Sequence, residues 1–254
     1  MRYGVFALIA LFGVLLPAQA DPVVSLLSTY HEGATRDADV PVYPWRTHII
    51  ATIFWVGEKS DSNGFHIDNL GSAWNTDWEH SYGGLDAPSN RVGYFPGRFI
   101  PHENPFYVAL PFNDLMCPQQ AAQCVPWWNP SAPPQLSQCR GKWIEIRTPG
   151  APGTPAKVCY AQWEDAGPYR YDDASYVFDP HLEVAPLTTP GLDVSPAVGD
   201  LLGLSGHQEV SWRFVDSSQV PDGPWLKHEE CVPALEKLSR TPSEESAIVF
   251  SRRP

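Results

Sequence analysis

Two aspartates stand where a carboxyl pair could do acid/base chemistry. Asp165 lies in Trp163-Glu164-Asp165-Ala166-Gly167-Pro168-Tyr169, and Asp193 in Gly191-Leu192-Asp193-Val194-Ser195-Pro196. Each falls where a strand reads as ending. One carboxylic acid that protonates a glycosidic oxygen, opposite a second carboxylate that activates water, is a recurrent way to build a glycan-cleaving site. Asp165 is flanked by Trp163 and Glu164, and an aromatic wall plus a like charge would raise its pKa. Asp193 precedes a helix start, which favours the ionised form. Asp165 is therefore the expected acid and Asp193 its partner. Plainer roles stand beside these: an aspartate in D-x-G-P can accept N–H bonds across its own turn, and one before Ser-Pro can cap the helix or pair with Arg213.

The elements that must position them are mostly strands. Alternating or β-branched runs occur at residues 48–56, 106–110, 142–147, 157–163 and 209–215. Gly167 and Pro168 enforce a turn after the strand that ends at Trp163. After Asp193 a short helix is expected: Ser195 suits the N-cap, Pro196 the first helical position, and Val198, Leu201 and Leu202 an apolar stripe. Gly203 supplies the left-handed stop. A second helical signal lies at residues 232–238. With 27 prolines, 19 glycines and 43% apolar residues, the chain reads as a folded, loop-rich β protein.

Residues 1–20 carry Arg2, an apolar run and an Ala18-Gln19-Ala20 ending, the pattern of a secretory signal peptide cleaved after Ala20. A secreted or periplasmic location follows. No later run is apolar and long enough to span a bilayer. The expected organisation is a lead-in over 21–46, a core domain over 47–215, and a polar tail over 216–254. A net charge of −12 argues against nucleic acid and anionic membrane as partners.

Five cysteines, Cys117, Cys124, Cys139, Cys159 and Cys231, lack the tight spacing of a zinc site. In an oxidising compartment they suggest bridges, with Cys117–Cys124 and Cys139–Cys159 the preferred pairing and other connectivities open. His66, His80 and His102 are scattered, and Asp172-Asp173 lacks a calcium-loop pattern, so no metal or other cofactor is implied.

Two long loops, 57–103 and 118–138, are rich in aromatics. Trp74, Trp78 and Tyr82 in the first, and Trp127 and Trp128 in the second, could display flat apolar faces to sugar rings or wedge the loops onto the core. Asp114, in Ala109-Leu110-Pro111-Phe112-Asn113-Asp114, is a further candidate for lining a groove.

Taken in order, Ala51-Thr52-Ile53-Phe54-Trp55, Ala109-Leu110-Pro111, Trp143-Ile144-Glu145-Ile146, Asp165-Ala166-Gly167-Pro168 and Leu192-Asp193-Val194-Ser195-Pro196-Ala197 with Leu202-Gly203 resemble a known group. It is that of the double-psi β-barrel proteins: rare lipoprotein A, expansins and barwin-like endoglucanases. The resemblance spans roughly residues 47–204 and implies a mainly β fold, a six-stranded double-psi β-barrel with long loops and a groove across one face. Asp165 matches the group's D-x-G-P aspartate and also resembles the acid/base aspartate of membrane-bound lytic transglycosylase A.

Two departures qualify the match. Where barwin-like endoglucanases end the opening strand in a catalytic aspartate, this chain has Val56, with Glu58 two residues on. Where rare lipoprotein A has a histidine before the Leu-Pro turn, this chain has Tyr107. The resemblance thus implies a catalytic pair, Asp165 and Asp193, with Trp55, Glu58, Tyr107, Asp114 and Trp163 as substrate-binding candidates. The expected partner is peptidoglycan or another β-linked polysaccharide. Cleavage would be lytic, through a single acid, or hydrolytic. A non-catalytic, expansin-like binder and a barrel that docks an envelope protein are the alternatives.

Overall fold

Six apolar runs close into one barrel in the computed structural model, which describes residues 41–60, 68–150, 152–179 and 185–226. The strands are β1 (Arg46–Ile53), β4 (Tyr107–Leu110), β5 (Trp143–Arg147), β6 (Val158–Ala166), β7 (Leu192–Val194) and β8 (Gln208–Val215), with a small hairpin of β2 (Arg91–Val92) and β3 (Phe95–Pro96) outside. Around the barrel the order is β1-β7-β4-β6-β5-β8, and β8 pairs back onto β1. Two neighbours run parallel, β1 with β7 and β4 with β6; the other pairs are antiparallel. The expected signal segment, most of the lead-in, the second helix at 232–238 and Cys231 lie outside the described residues.

The period-two pattern sends Ile49, Ala51, Val108, Leu110, Ile144, Ile146, Ala161, Trp163, Leu192, Val194, Val210, Trp212 and Phe214 into one packed interior. Burial of these large side chains supplies the main driving force for closure. A second apolar cluster forms on the outer face of the barrel. There Phe54, Val56, Tyr107 and Ala109 meet Trp78 and Tyr82 of α1 (Trp78–Tyr82). Residues from the 57–103 loop thus cover the outside of β4, which is why all four of its residues are buried.

The helix after Asp193 forms as its local signals dictate. Among the described residues it follows three other short α-helices, α1, α2 (Pro118–Cys124) and α3 (Ala174–Phe178); we label it α4 (Pro196–Leu202). The Ser195 hydroxyl accepts from Val198 N–H at 3.3 Å, and Gly203 ends the helix at φ 75°. Gly199 faces β1 so closely that a β-carbon there would stand 3.0 Å from Ile53 Cδ1.

Several expectations are corrected. α1 and α2 occupy segments read as loops and α3 one given no element, each a single turn or two whose apolar residues pack on the barrel. β6 continues past Trp163 to Ala166. Cys117, Cys124, Cys139 and Cys159 are free thiols, so neither expected bridge is formed. Cys117 and Cys124 sit at opposite ends of α2, about 10 Å apart at the helical rise and beyond bridging distance. Cys139 lies in the segment before β5, where the Lys142 carbonyl accepts from Trp163 N–H, whereas Cys159 pairs with Ile146 further along β5.

Candidate functional site

A register shift between β4 and β6 creates the site. Val108 pairs with Trp163 but Ala109 pairs with Asp165, so Glu164 is an extra residue in β6. Without it, period two would place Asp165 inward with Trp163; the bulge turns Asp165 to the outer face instead. On the other side of β4, Ala109 pairs with Asp193 of β7, which in turn pairs with Thr52 of β1. Thr52, Asp193, Ala109 and Asp165 therefore form one row across four adjacent strands. The two aspartates flank a single alanine, their Cα atoms about 10 Å apart by strand spacing.

Both carboxyls are recessed, Asp165 at 7% exposure and Asp193 half-buried. Burial pushes Asp165 up to about 7, against the pull of two backbone N–H donors, with the charges of Asp193 and Glu164 pushing further in the same direction. Burial likewise pushes Asp193 up to about 7, partly offset by the Thr52 hydroxyl and reinforced by Glu58. Among the described residues neither aspartate has an ion-pair partner. Asp165 accepts from Ala73 N–H at 2.6 Å and Ala166 N–H at 2.8 Å, both on Oδ1. The Thr52 hydroxyl donates to Asp193 Oδ1.

The strap above Asp165 is fixed from the turn after β4. Asn113 Nδ2 donates to the Ala73 carbonyl at 3.4 Å, and Trp74 Nε1 to Asp114 Oδ1 at 3.0 Å. Asp114 also accepts from the Ser137 hydroxyl, Gln138 N–H and Cys139 N–H. Fully buried and saturated with donors, Asp114 ties three loops together and lines no groove.

The other sequence candidates divide. Glu58 lies beside the row: it is buried, accepts from Asn69 Nδ2 at 3.0 Å, and acts electrostatically on Asp193. Trp55 is half-buried in the turn that follows β1, its carbonyl accepting from Glu58 N–H. Tyr107 is not at a surface. Its ring packs among Phe54, Trp78 and Tyr82, and its hydroxyl donates to Asp86 at 2.9 Å while accepting from Val56 N–H. Trp163 is 0% exposed inside the barrel and presents no face to solvent, though its indole N–H donates to the Asp165 carbonyl at 2.7 Å.

Nor do Trp78 and Tyr82 form a display of rings; they are wholly buried and wedge their loop onto the barrel. Trp127 is half-buried, with Lys142 Nζ 5.0 Å above its ring, and lines a shallow cleft with Tyr43 and Trp143 at the far side of β5. The plainer alternatives for Asp193 are absent: Ser195 caps α4, and Arg213 pairs with Glu145 at 2.7 Å. Asp165 accepts instead from the adjacent Ala166 N–H within β6 and from Ala73 N–H of the loop.

No protein-family model matches this chain, and no curated protein matches it in sequence. The geometry therefore speaks for itself: two recessed, raised carboxyls, uncompensated by cations among the described residues, facing the same way from β7 and β6 on either side of β4. Sequence reasoning passed over three contributors. Thr52 sat in a quoted strand without a role, Ala73 acts through its backbone alone, and Ala109 matters only because it is small and central. The small size of Ala109 was the one signal available.

Proposed function

We propose that this protein is an exported glycan-cleaving enzyme on a double-psi β-barrel, acting on peptidoglycan or another β-linked polysaccharide with Asp165 as the acid. The observation that carries the reading is the Thr52–Asp193–Ala109–Asp165 row. Two parallel pairs, β1 with β7 and β4 with β6, in a closed six-stranded barrel support the double-psi assignment. Held near 7, Asp165 is protonated in about half of the molecules at neutral pH and gives that proton to the glycosidic oxygen as the bond to the anomeric carbon breaks. Strand spacing of about 10 Å between the two Cα atoms suits the wider carboxyl separation that leaves room for water. Asp193, ionised in the productive form, takes the proton of that water as it attacks the anomeric carbon.

A second reading, a non-catalytic glycan binder, draws on Val56, a fully buried apolar residue where the resemblance expects a carboxylate. Digests of peptidoglycan and of soluble β-glucans, with products analysed by mass, separate these. New reducing ends identify hydrolysis, and anhydro ends identify a lytic enzyme that uses Asp165 alone. Retention on glycan without products identifies the binder. Asp165→Asn should abolish whichever cleavage is seen; unchanged cleavage by that variant would remove Asp165 from the chemistry.

A further inference from the structure

The two oxygens of the Asp165 carboxyl are not equivalent. Oδ1 takes both donors, Ala73 N–H at 2.6 Å and Ala166 N–H at 2.8 Å, while Oδ2 accepts from none of the described residues. A proton on Oδ1 would compete with two N–H groups for the same lone pairs, whereas a proton on Oδ2 leaves both bonds in place.

Ala166 is the next residue of β6, so its N–H comes with the strand. Ala73 N–H has to be delivered from a distant part of the chain, and a tight turn over 72–75 delivers it. Ser72 N–H donates to the Asn75 carbonyl at 2.7 Å and Asn75 N–H to the Ser72 carbonyl at 3.3 Å, which leaves Ala73 and Trp74 as the central pair. The N–H groups of such a pair find no main-chain partner inside the turn. That of Trp74 goes to the Ser72 hydroxyl at 3.3 Å, and that of Ala73 goes to Asp165.

The turn is held from both sides. Trp74 Nε1 reaches Asp114 and Asn113 Nδ2 reaches the Ala73 carbonyl on one side; Asn75 Nδ2 donates to the Ser81 hydroxyl at 2.6 Å on the other. The Trp74 ring also meets Trp163 edge-on at 5.5 Å between centroids, and Trp163 Nε1 holds the Asp165 carbonyl at 2.7 Å. One indole thus places the donor to the carboxyl, and its neighbour fixes the main chain that carries the carboxyl. The charges acting on Asp165 are Asp193 of β7 and Glu164 of β6, the latter engaged by Arg140 at 2.7 Å.

We propose that the turn over 72–75 confines the Asp165 proton to Oδ2, with Ala73 N–H as the group that occupies Oδ1 and Trp74 as the clamp that keeps it there. The proposal rests on Asp165 as the acid and adds which oxygen delivers the proton. Ala73 and Trp74 act through Asp165 and are positioning residues, outside the proton-transfer step. Because the Ala73 bond favours the ionised carboxyl, the turn also limits how tightly the proton is held.

The test follows the Asp165 carboxyl carbon and the Ala73 amide proton of the full chain through one NMR pH titration. In the parent, the Ala73 amide should shift with the Asp165 midpoint and stay protected from exchange on both sides of it; in Asp165→Asn the step should vanish. Loss of protection on the acid side would place the proton on Oδ1 and overturn the proposal. Ala73→Pro deletes the N–H, and since neither central residue has a positive φ, proline suits this second position of the turn. The Asp165 midpoint should then rise by about one unit, and the alkaline limb of kcat/KM with it. Ala73→Gly keeps the N–H and should leave the midpoint in place. An unchanged or lowered midpoint in Ala73→Pro, or equal shifts in both variants, would make the turn a mere cover and overturn the proposal. The NMR readouts need no substrate, so a protein that passes them and cleaves no glycan would lose the glycan function while the placement of the proton stands.

Discussion

Asp86, within the 57–103 loop, and Asp165, beneath it, are both buried carboxyls, and they are held in opposite ways. Asp86 accepts from the hydroxyls of Tyr107 at 2.9 Å and Tyr82 at 3.2 Å on one oxygen, and the Arg91 guanidinium binds the other. Arg91 reaches on to Asp200 of α4 at 3.3 Å. Burial raises the Asp86 pKa, but the cation and the hydroxyls oppose it. Asp165 has two backbone N–H groups, no cation among the described residues, and the charges of Asp193 and Glu164 as neighbours. A compensated buried carboxyl ties α1, the hairpin and α4 to the barrel. An uncompensated one stores a proton, which architecture does not need and acid catalysis does.

That contrast is breakable at both ends. The largest effect is expected on the structural side: Arg91→Met leaves Asp86 buried without its cation and should cost about 3–5 kcal/mol in urea denaturation. A loss under 1 kcal/mol would mean that the Asp86 network is ornamental.

At the other end, Asp165→Asn should lower cleavage by 100-fold or more while stabilising the fold at alkaline pH. The sign follows from linkage. With its pKa raised from 3.8 to about 7, folded Asp165 binds a proton that the unfolded chain has released, so its contribution to stability declines as pH rises from about 4 to about 7. Asparagine mimics the protonated form, so the gain, on the order of 1–3 kcal/mol, should appear at pH 8 and vanish at pH 4. Equal stability of the two proteins at pH 8 would contradict the uncompensated burial.

A smaller shift tests the coupling between the two aspartates. The Asp193 charge raises Asp165, so Asp193→Asn should move the alkaline limb of kcat/KM to lower pH, whatever it does to the maximum rate. Smallest of all, Thr52→Val removes the hydroxyl that favours ionised Asp193. The pKa of Asp193 should then rise by roughly half a unit to one unit, read from its carboxyl carbon.

Local rules made much of this fold legible beforehand. Ser195, Pro196 and Gly203 each act within one helical turn, and α4 starts and stops where they say. The strand runs were visible because their alternation meets a core on one face. What escaped notice is non-local. Nothing around Glu164 announces a bulge, because the extra residue exists only relative to β4. Yet that bulge decides whether Asp165 faces the core or the outside. Trp78 and Tyr82 looked fit for display because polar residues surround them; their burial depends on Tyr107, which is contributed by a different strand. The cysteines misled for a related reason: the expected export favours bridges, while the length of one helix separates Cys117 from Cys124 and leaves both thiols free.

The central claim is that Asp165 and Asp193 form a proton-storing pair, and it can be tested without knowing the substrate. Carboxyl-carbon NMR titration of the full-length protein, assigned with Asp165→Asn and Asp193→Asn, should show both groups titrating near pH 7 and each moving when the other is neutralised. Two independent midpoints near 4 would contradict the account, because ordinary carboxylates at these positions would be turn aspartates and nothing more.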